Sequence, residues 1–198
     1  MISAGYQKLA EFARRLGGLT TGDAATFAGA FREMKVKKRQ FIIQPTFPAN
    51  HRNYVVSGAL RAYVVGEEGS EHTISFAVED WWITDYNSYI YQQPATMFVV
   101  ALEDSVVLQI DYEHEQILKQ TNHRFESLFR QMAERGLAFQ QRRLIANLTL
   151  SAEERYDHFL QHYPQIARRV PQYALASYLG MTTEFLSKIR NNKVRKKS

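Results

Sequence analysis

Apolar positions change period twice along the chain, from helical to strand-like and back to helical. Tyr6, Leu9, Ala10, Phe12, Ala13 and Leu16 recur at helical spacing up to the Gly17-Gly18 break, and Phe27 to Met34 repeats that pattern more briefly. From Val36 the period shortens. Phe41 to Gln44, Tyr54 to Ser57, Leu60 to Val65, His72 to Val78, Thr96 to Leu102 and Ser105 to Ile110 are short β-type runs. Pro45, Pro48, Ser57-Gly58 and the Gly66-Glu-Glu-Gly69 stretch separate them as turn signals. Evenly spaced strands with no helix between them predict an antiparallel, jelly-roll-like β-roll rather than a parallel sheet.

After Asp111 the pattern turns helical. Glu113 to Gln120 predicts a short helix and Asn122 to Leu148 a long one of roughly 40 Å. Phe125, Leu128, Met132 and Phe139 follow one near-heptad stripe of it, expected to form a homodimer seam, while Leu137, Leu144 and Leu148 lie off that stripe. Ser151-Ala-Glu-Glu154 then has the spacing of a capping box and opens a helix whose inner face is Tyr156, Phe159, Leu160 and Tyr163, up to Pro164.

The stretch from Val170 to Arg190 carries the clearest chemistry. Pro171 sits beside a helix start, and Leu175 and Leu179 form an inner face. Gly180 suits a left-handed exit from the helix, Thr182 suits the N-cap of the next one, and that second helix would bury Leu186 and Ile189. With small Ala176 where two helices must cross closely, the spacing is that of a helix-turn-helix. The fold class expected is therefore α+β: a β-roll with amino-terminal helices over residues 1–121, a long dimerisation helix over 122–148, and an all-α helix-turn-helix module over 149–198.

Charge sharpens this reading. The chain carries a formal +5, but from Phe159 to Ser198 there are eight Lys or Arg against one acid, Glu184, so the remainder is slightly acidic. A basic carboxyl-terminal module on a near-neutral body points to nucleic acid. The chain has no Cys, which excludes disulfide scaffolds, thiol redox chemistry and thiolate metal sites, and fits a cytoplasmic location. The amino terminus lacks the apolar core of a signal peptide, and no apolar stretch approaches the roughly 18 residues of a membrane span, so no membrane partner is expected.

A metal enzyme built on a similar roll is the main rival from another class. It would need paired His ligands, yet only His51 and His72 fall in the roll, and His158 and His162, although at i, i+4, lack the Glu of H-E-x-x-H. No catalytic residues, cofactor or metal are therefore expected. A further rival is an effector-binding or protein-interaction module of the same fold without specific DNA binding.

This order of β-roll, long helix and helix-turn-helix is similar to that of the Crp/Fnr family of bacterial transcription regulators. The segment Tyr54 to Phe76 resembles the family's central hairpin, including Gly58 and the Glu67-Glu68-Gly69 turn. The resemblance covers nearly the whole chain and is weakest over residues 1 to 35. It implies a sequence-specific, homodimeric regulator of double-stranded DNA with an inverted-repeat operator and RNA polymerase as a partner. It puts Thr183, Glu184 and Lys188 at base edges, and Gln172, Thr182, Ser187, Arg190 and Lys193 at phosphates.

Two departures qualify the resemblance. Cyclic-nucleotide sensors of the family use a Gly-Glu pair for the sugar and, about ten residues on, an Arg for the phosphate; here Thr84-Asp85 and Ala95 stand at those places. Ala95 offers no charge-assisted contact and Thr84 removes the glycine beside the anion, so cyclic-nucleotide binding is not expected. Trp82, Thr84, Asp85, Tyr86, Ala95 and Thr96 remain as a candidate pocket for another effector, against the alternative that aromatic residues fill the space. The family's recognition helix also leads into a two-stranded wing, for which Asn191 to Ser198 are too few; the basic tail Arg195 to Lys197 is expected to take over its phosphate contact.

Overall fold

Leu9 and Ala13 on the first helix, α1 (Ala4–Gly17), and Ala24, Phe27 and Ala28 on the second, α2 (Thr21–Gly29), are buried together, as the helical spacing of their apolar residues requires. Gly18, at φ 61°, ends α1, and Thr20 caps α2 by accepting the Asp23 N–H at 3.1 Å. These elements come from a computed structural model that describes residues 3–195. Its contacts form two compact units, Met1–Ala62 with Phe76–Leu137, and Tyr63–Ser75 with Ala138–Ser198. The second unit thus takes in a short segment of the roll, and the division falls within the long helix.

The strands are β1 (Arg32–Val36), β2 (Phe41–Ile43), β3 (His51–Ser57), β4 (Leu60–Val65), β5 (Glu71–Ala77), β6 (Trp82–Ile83), β7 (Phe98–Ala101) and β8 (Ser105–Asp111). They make two four-stranded sheets, ordered β1-β8-β3-β6 and β2-β7-β4-β5. The helical pattern read from Phe27 to Met34 stops early: α2 ends at Gly29, and Arg32–Val36 pairs antiparallel with β8, Val36 opposite Ser105. Pairing with a partner some 70 residues away decides this segment, because strand formation follows cross-strand packing more than local preference. Opposite Leu108 and Val107, Tyr54 and Val55 are buried on the two faces of the strand pair. The β3–β4 turn requires glycine at 58, where φ is 104° and a Cβ would lie 2.1 Å from the Ser105 Oγ.

Two more helices of the first unit begin beside strands, and the long helix follows them and runs on into the second unit. Asp85 caps α3 (Tyr86–Tyr91), Asp111 caps α4 (Tyr112–Thr121) by accepting the His114 N–H, and α5 (His123–Thr149) follows. Phe125, Leu128, Phe129 and Met132 of α5 are buried in one core with α1, α2, Tyr54 and Leu108. This overturns the expected seam. Side chains already enclosed by their own chain have no surface left for a partner. Phe139, the fourth member, belongs to the second unit and packs edge-on against Tyr163. The large apolar residues of α5 that remain exposed are the ones off that stripe, Leu137, Leu144, Ile145 and Leu148, at 71, 58, 52 and 76%.

The second unit contains α6 (Ala152–His162), α7 (Pro164–Arg169), α8 (Gln172–Tyr178) and α9 (Thr183–Arg195). Ser151 and Glu154 form the capping box that opens α6, which stops at His162 ahead of Pro164, and Pro164 is itself the first residue of α7. Arg143 donates to the carbonyls of Thr73, Ile74 and Tyr178 with its guanidinium 4.2 Å from the Tyr178 ring. Ser177 Oγ accepts the Thr73 N–H and donates to the Glu71 carbonyl, each at 2.8 Å, so backbone groups on the edge strand β5 are satisfied by the helical module. Among the described residues, no helix is long and apolar enough to cross a membrane.

Candidate nucleic-acid interface

Leu175 and Leu179 face Leu186 and Ile189 across the α8–α9 junction, all four buried, with Ala176 fully enclosed. Gly180 adopts φ 67° in the turn, and Thr182 Oγ1 accepts the Phe185 N–H at 3.2 Å, capping α9. The apolar positions thus hold two helices at a fixed angle and leave the opposite face of α9 in solvent.

On that face Glu184 and Lys188 are exposed, while Arg190, also exposed, lies round the helix beside Leu186. The Glu184 carboxyl is held below its ordinary range by its own backbone N–H and the Thr182 hydroxyl, so it remains an acceptor. Other residues expected at DNA are turned inward. Gln172 Nε2 donates to Ser187 Oγ at 2.5 Å and Ser187 donates to the Thr183 carbonyl, so this group brings the start of α8 to α9 and leaves Thr183 and Ser187 half-buried. Lys193 departs furthest from expectation. Its Nζ lies 2.7 Å from an Asp157 oxygen and 3.2 Å from Glu153, on α6. Those hydrogen bonds raise its pKa, Asp157 most, and they turn the ammonium to its own module instead of a phosphate. Phe185, which spacing alone passes over as an inner position, is 47% exposed. Lys196 and Lys197 of the basic tail lie outside the described residues.

The candidate effector pocket in the roll is closed on itself. Asp85 is fully buried. One of its oxygens accepts the Ser88 N–H, and the other accepts both the Thr96 N–H at 2.7 Å and the Thr96 hydroxyl at 3.0 Å. Thr84 donates to the His51 carbonyl, and the Ala95 N–H donates to Phe47. The structure therefore brings Thr84, Asp85, Ala95 and Thr96 together, but their polar groups are satisfied by one another and by the backbone. Trp82 does not join them. Its ring meets those of Phe12, Phe31 and Tyr54 at tilted or edge-on angles in the core with α1 and α2. Tyr86 sits over Arg52, which donates to its hydroxyl at 3.3 Å.

Behind this segment lies a buried ionic group that the residue pattern did not suggest. Arg52 of β3 makes two hydrogen bonds to Glu115 of α4, at 2.5 and 2.9 Å, and Tyr89 and Lys119 also contact that carboxylate. Burial pushes the Glu115 pKa up, but Arg52 and Lys119 outweigh it and the net shift is downward. Burial likewise opposes the Arg52 charge, and contacts with Tyr86 and Glu115 reverse the effect. The ion pair thus ties α4 to β3, and the hydroxyls of Tyr86 and Tyr89 join α3 to it.

In the second unit, a cavity of about 70 Å³ is walled by Phe139, Phe159 and Tyr178 with Arg143 and Arg155. Arg155 spends its guanidinium on the Leu150 and Leu179 carbonyls, as Arg143 does on those of Thr73, Ile74 and Tyr178. These arginines satisfy carbonyls at helix ends and along β5. His158 and His162 stack with ring centroids 4.1 Å apart, and no group of three or more metal-binding side chains occurs among the described residues.

Residues 33–122 match the family model of the cyclic nucleotide-binding domain. No curated protein sequence matches the chain. Among solved structures, FixK2 from Bradyrhizobium japonicum is similar at 18% identity and a TM-score of 0.73, with 84% of this chain and 85% of that one covered. The c-di-GMP responsive global regulator CLP from Xanthomonas campestris has 17% identity and a TM-score of 0.71 over 89% and 93%. The catabolite activator protein of Thermus thermophilus has 17% and 0.58 over 93% and 87%. At these identities the likeness is one of fold.

Proposed function

From a chain whose residues 33–122 belong to the cyclic nucleotide-binding domain family and whose fold is that of the Crp/Fnr regulators, we propose a homodimeric, sequence-specific DNA-binding transcription regulator that does not bind cyclic nucleotides. The observation that carries the reading is the α8–α9 pair: Leu175, Leu179, Leu186 and Ile189 are consumed in its packing, while Glu184 and Lys188, one turn apart, face solvent on the second helix. Glu184 is suited to accept from a cytosine amino group and Lys188 to donate to guanine N7 or O6; Thr183, half-buried, borders them. Arg190 serves a phosphate, and Gln172, Thr182 and Ser187 support the helix that presents these residues. In a dimer the two reading helices meet an inverted repeat with half-sites one helical turn, roughly 34 Å, apart, and RNA polymerase is the partner through which the bound regulator acts.

The test is selection of bound DNA from a random library, followed by comparison of variants on the selected operator and on scrambled DNA. Lys188→Ala should relax the preference at one base pair per half-site by about 1–3 kcal/mol. Lys193→Ala should leave both affinity and salt slope unchanged, because its ammonium is committed to Asp157 and Glu153. Equal weakening of operator and scrambled DNA by Lys188→Ala would make Lys188 a phosphate contact and overturn the placement of α9 in the groove.

The reading of the roll is tested by calorimetry with cyclic AMP. With Ala95 in place of a cation and both Asp85 oxygens occupied by Ser88 and Thr96, millimolar cyclic AMP is expected to leave the melting temperature unchanged, since a ligand stabilises only in proportion to its occupancy. A saturating shift of several degrees would refute it.

A further inference from the structure

We propose that Phe185 is a specificity-determining residue that reads the C5-methyl group of a thymine in each half-site. This rests on the DNA-reading role of α9 proposed above and adds a contact that none of its polar residues can make.

Of the described apolar side chains of α9, Leu186 and Ile189 are enclosed at 0 and 6% exposure, yet Phe185 beside them stays 47% exposed. At about 100° per residue it lies about 40° round the helix from Ile189 and about 60° from Lys188, so its ring stands on the border between the packed face and the reading face. Its N–H is held by the Thr182 cap, which places it in the first turn of α9, the end of a recognition helix that enters a major groove. A ring in that position meets base edges. The one apolar feature those edges offer is the thymine methyl, to which Phe is chemically suited. A protein partner fits less well, since one half-exposed ring supplies a small part of the roughly 800 Å² that each side of a specific interface buries.

The experiment uses the full-length protein and the selected operator, with deoxyuridine replacing thymine one position at a time so that a single methyl is removed and hydrogen bonding is kept. One thymine per half-site is expected to be methyl-sensitive, losing about 4-fold in affinity for each half-site, the burial of one methyl group. Phe185→Ala should bind thymine and uracil operators equally, Phe185→Leu should retain part of the preference, and Lys188→Ala should keep it in full. A melting curve like that of the wild type shows that each variant folds. If no thymine is methyl-sensitive, or if Phe185→Ala and Phe185→Leu both keep the full uracil penalty, the inference is wrong while the regulator reading stands. If selection enriches no sequence, both fall.

Discussion

Replacing Leu144 and Leu148 together by glutamate is expected to convert the protein from a dimer to a monomer at micromolar concentration and to reduce operator affinity by at least about 100-fold. Leu137, Gln141, Leu144 and Leu148 fall at intervals of four, three and four along α5, the spacing of a coiled-coil seam, and the three leucines are 58 to 76% exposed. Burying each would contribute about 1.5–3 kcal/mol, whereas two carboxylates per helix in that seam would meet like charges in a desolvated strip. Gln141 among the leucines disfavours slipped registers at some cost in stability. The same substitution at Met132 should behave differently. That side chain is 8% exposed in the core of its own unit, so Met132→Glu should unfold the protein instead of separating subunits. Analytical ultracentrifugation with circular dichroism distinguishes the two results. A wild-type protein that sediments as a monomer under these conditions would remove the seam.

Glu115→Gln should cost about 3–5 kcal/mol and lower the melting transition of the first unit by roughly 10 °C, because it leaves the Arg52 guanidinium enclosed without its counter-charge. Arg52 and Glu115 are 6 and 0% exposed and meet through two hydrogen bonds. The chain has two tryptophans, Trp81 and Trp82, both in that unit, so fluorescence reports its unfolding directly. Linkage gives a second signature. Since Arg52 and Lys119 hold the folded-state pKa of Glu115 below its unfolded value, the stabilisation is present above the unfolded pKa, near 4.3, and is lost as pH falls through the folded value. The gap between wild type and variant should therefore narrow in acid. A gap that is constant with pH would mean that packing, not charge, holds α4 on the roll. Replacing Arg52 and Glu115 together with leucine should be less damaging than Glu115→Gln alone, because the more deeply enclosed guanidinium is removed with its partner and only the Lys119 ammonium, nearer to solvent, loses its counter-charge.

Those two results concern features that differ in how openly they are written in the chain. Local rules reach the helix-turn-helix almost completely: Gly180 for a left-handed turn, Thr182 as a cap, and Leu175, Leu179, Leu186 and Ile189 at spacings within one hairpin of about twenty residues. The Ser151–Glu154 capping box is legible for the same reason, since both partners lie within one turn. The strand runs and their turns follow from period and glycine placement, and the closed cassette is foreshadowed by Thr84 and Ala95.

What sequence alone could not settle depends on contacts between distant segments. Two stripes on α5 are apolar, and periodicity does not say which one its own chain covers; α1 and α2 cover Phe125, Leu128 and Met132, and that leaves the leucine stripe free. Arg32–Val36 becomes a strand because β8 is there to pair with it. Lys193 looks like any basic residue near a groove until Asp157 and Glu153 are found within 3.2 Å on another helix. Arg52 and Glu115 are 63 residues apart, and nothing in either neighbourhood announces the other. Spacing states which side chains share a face, because helices and strands have fixed periods; which face meets which is decided by the burial of the whole chain at once, and that sum exists only in the folded protein.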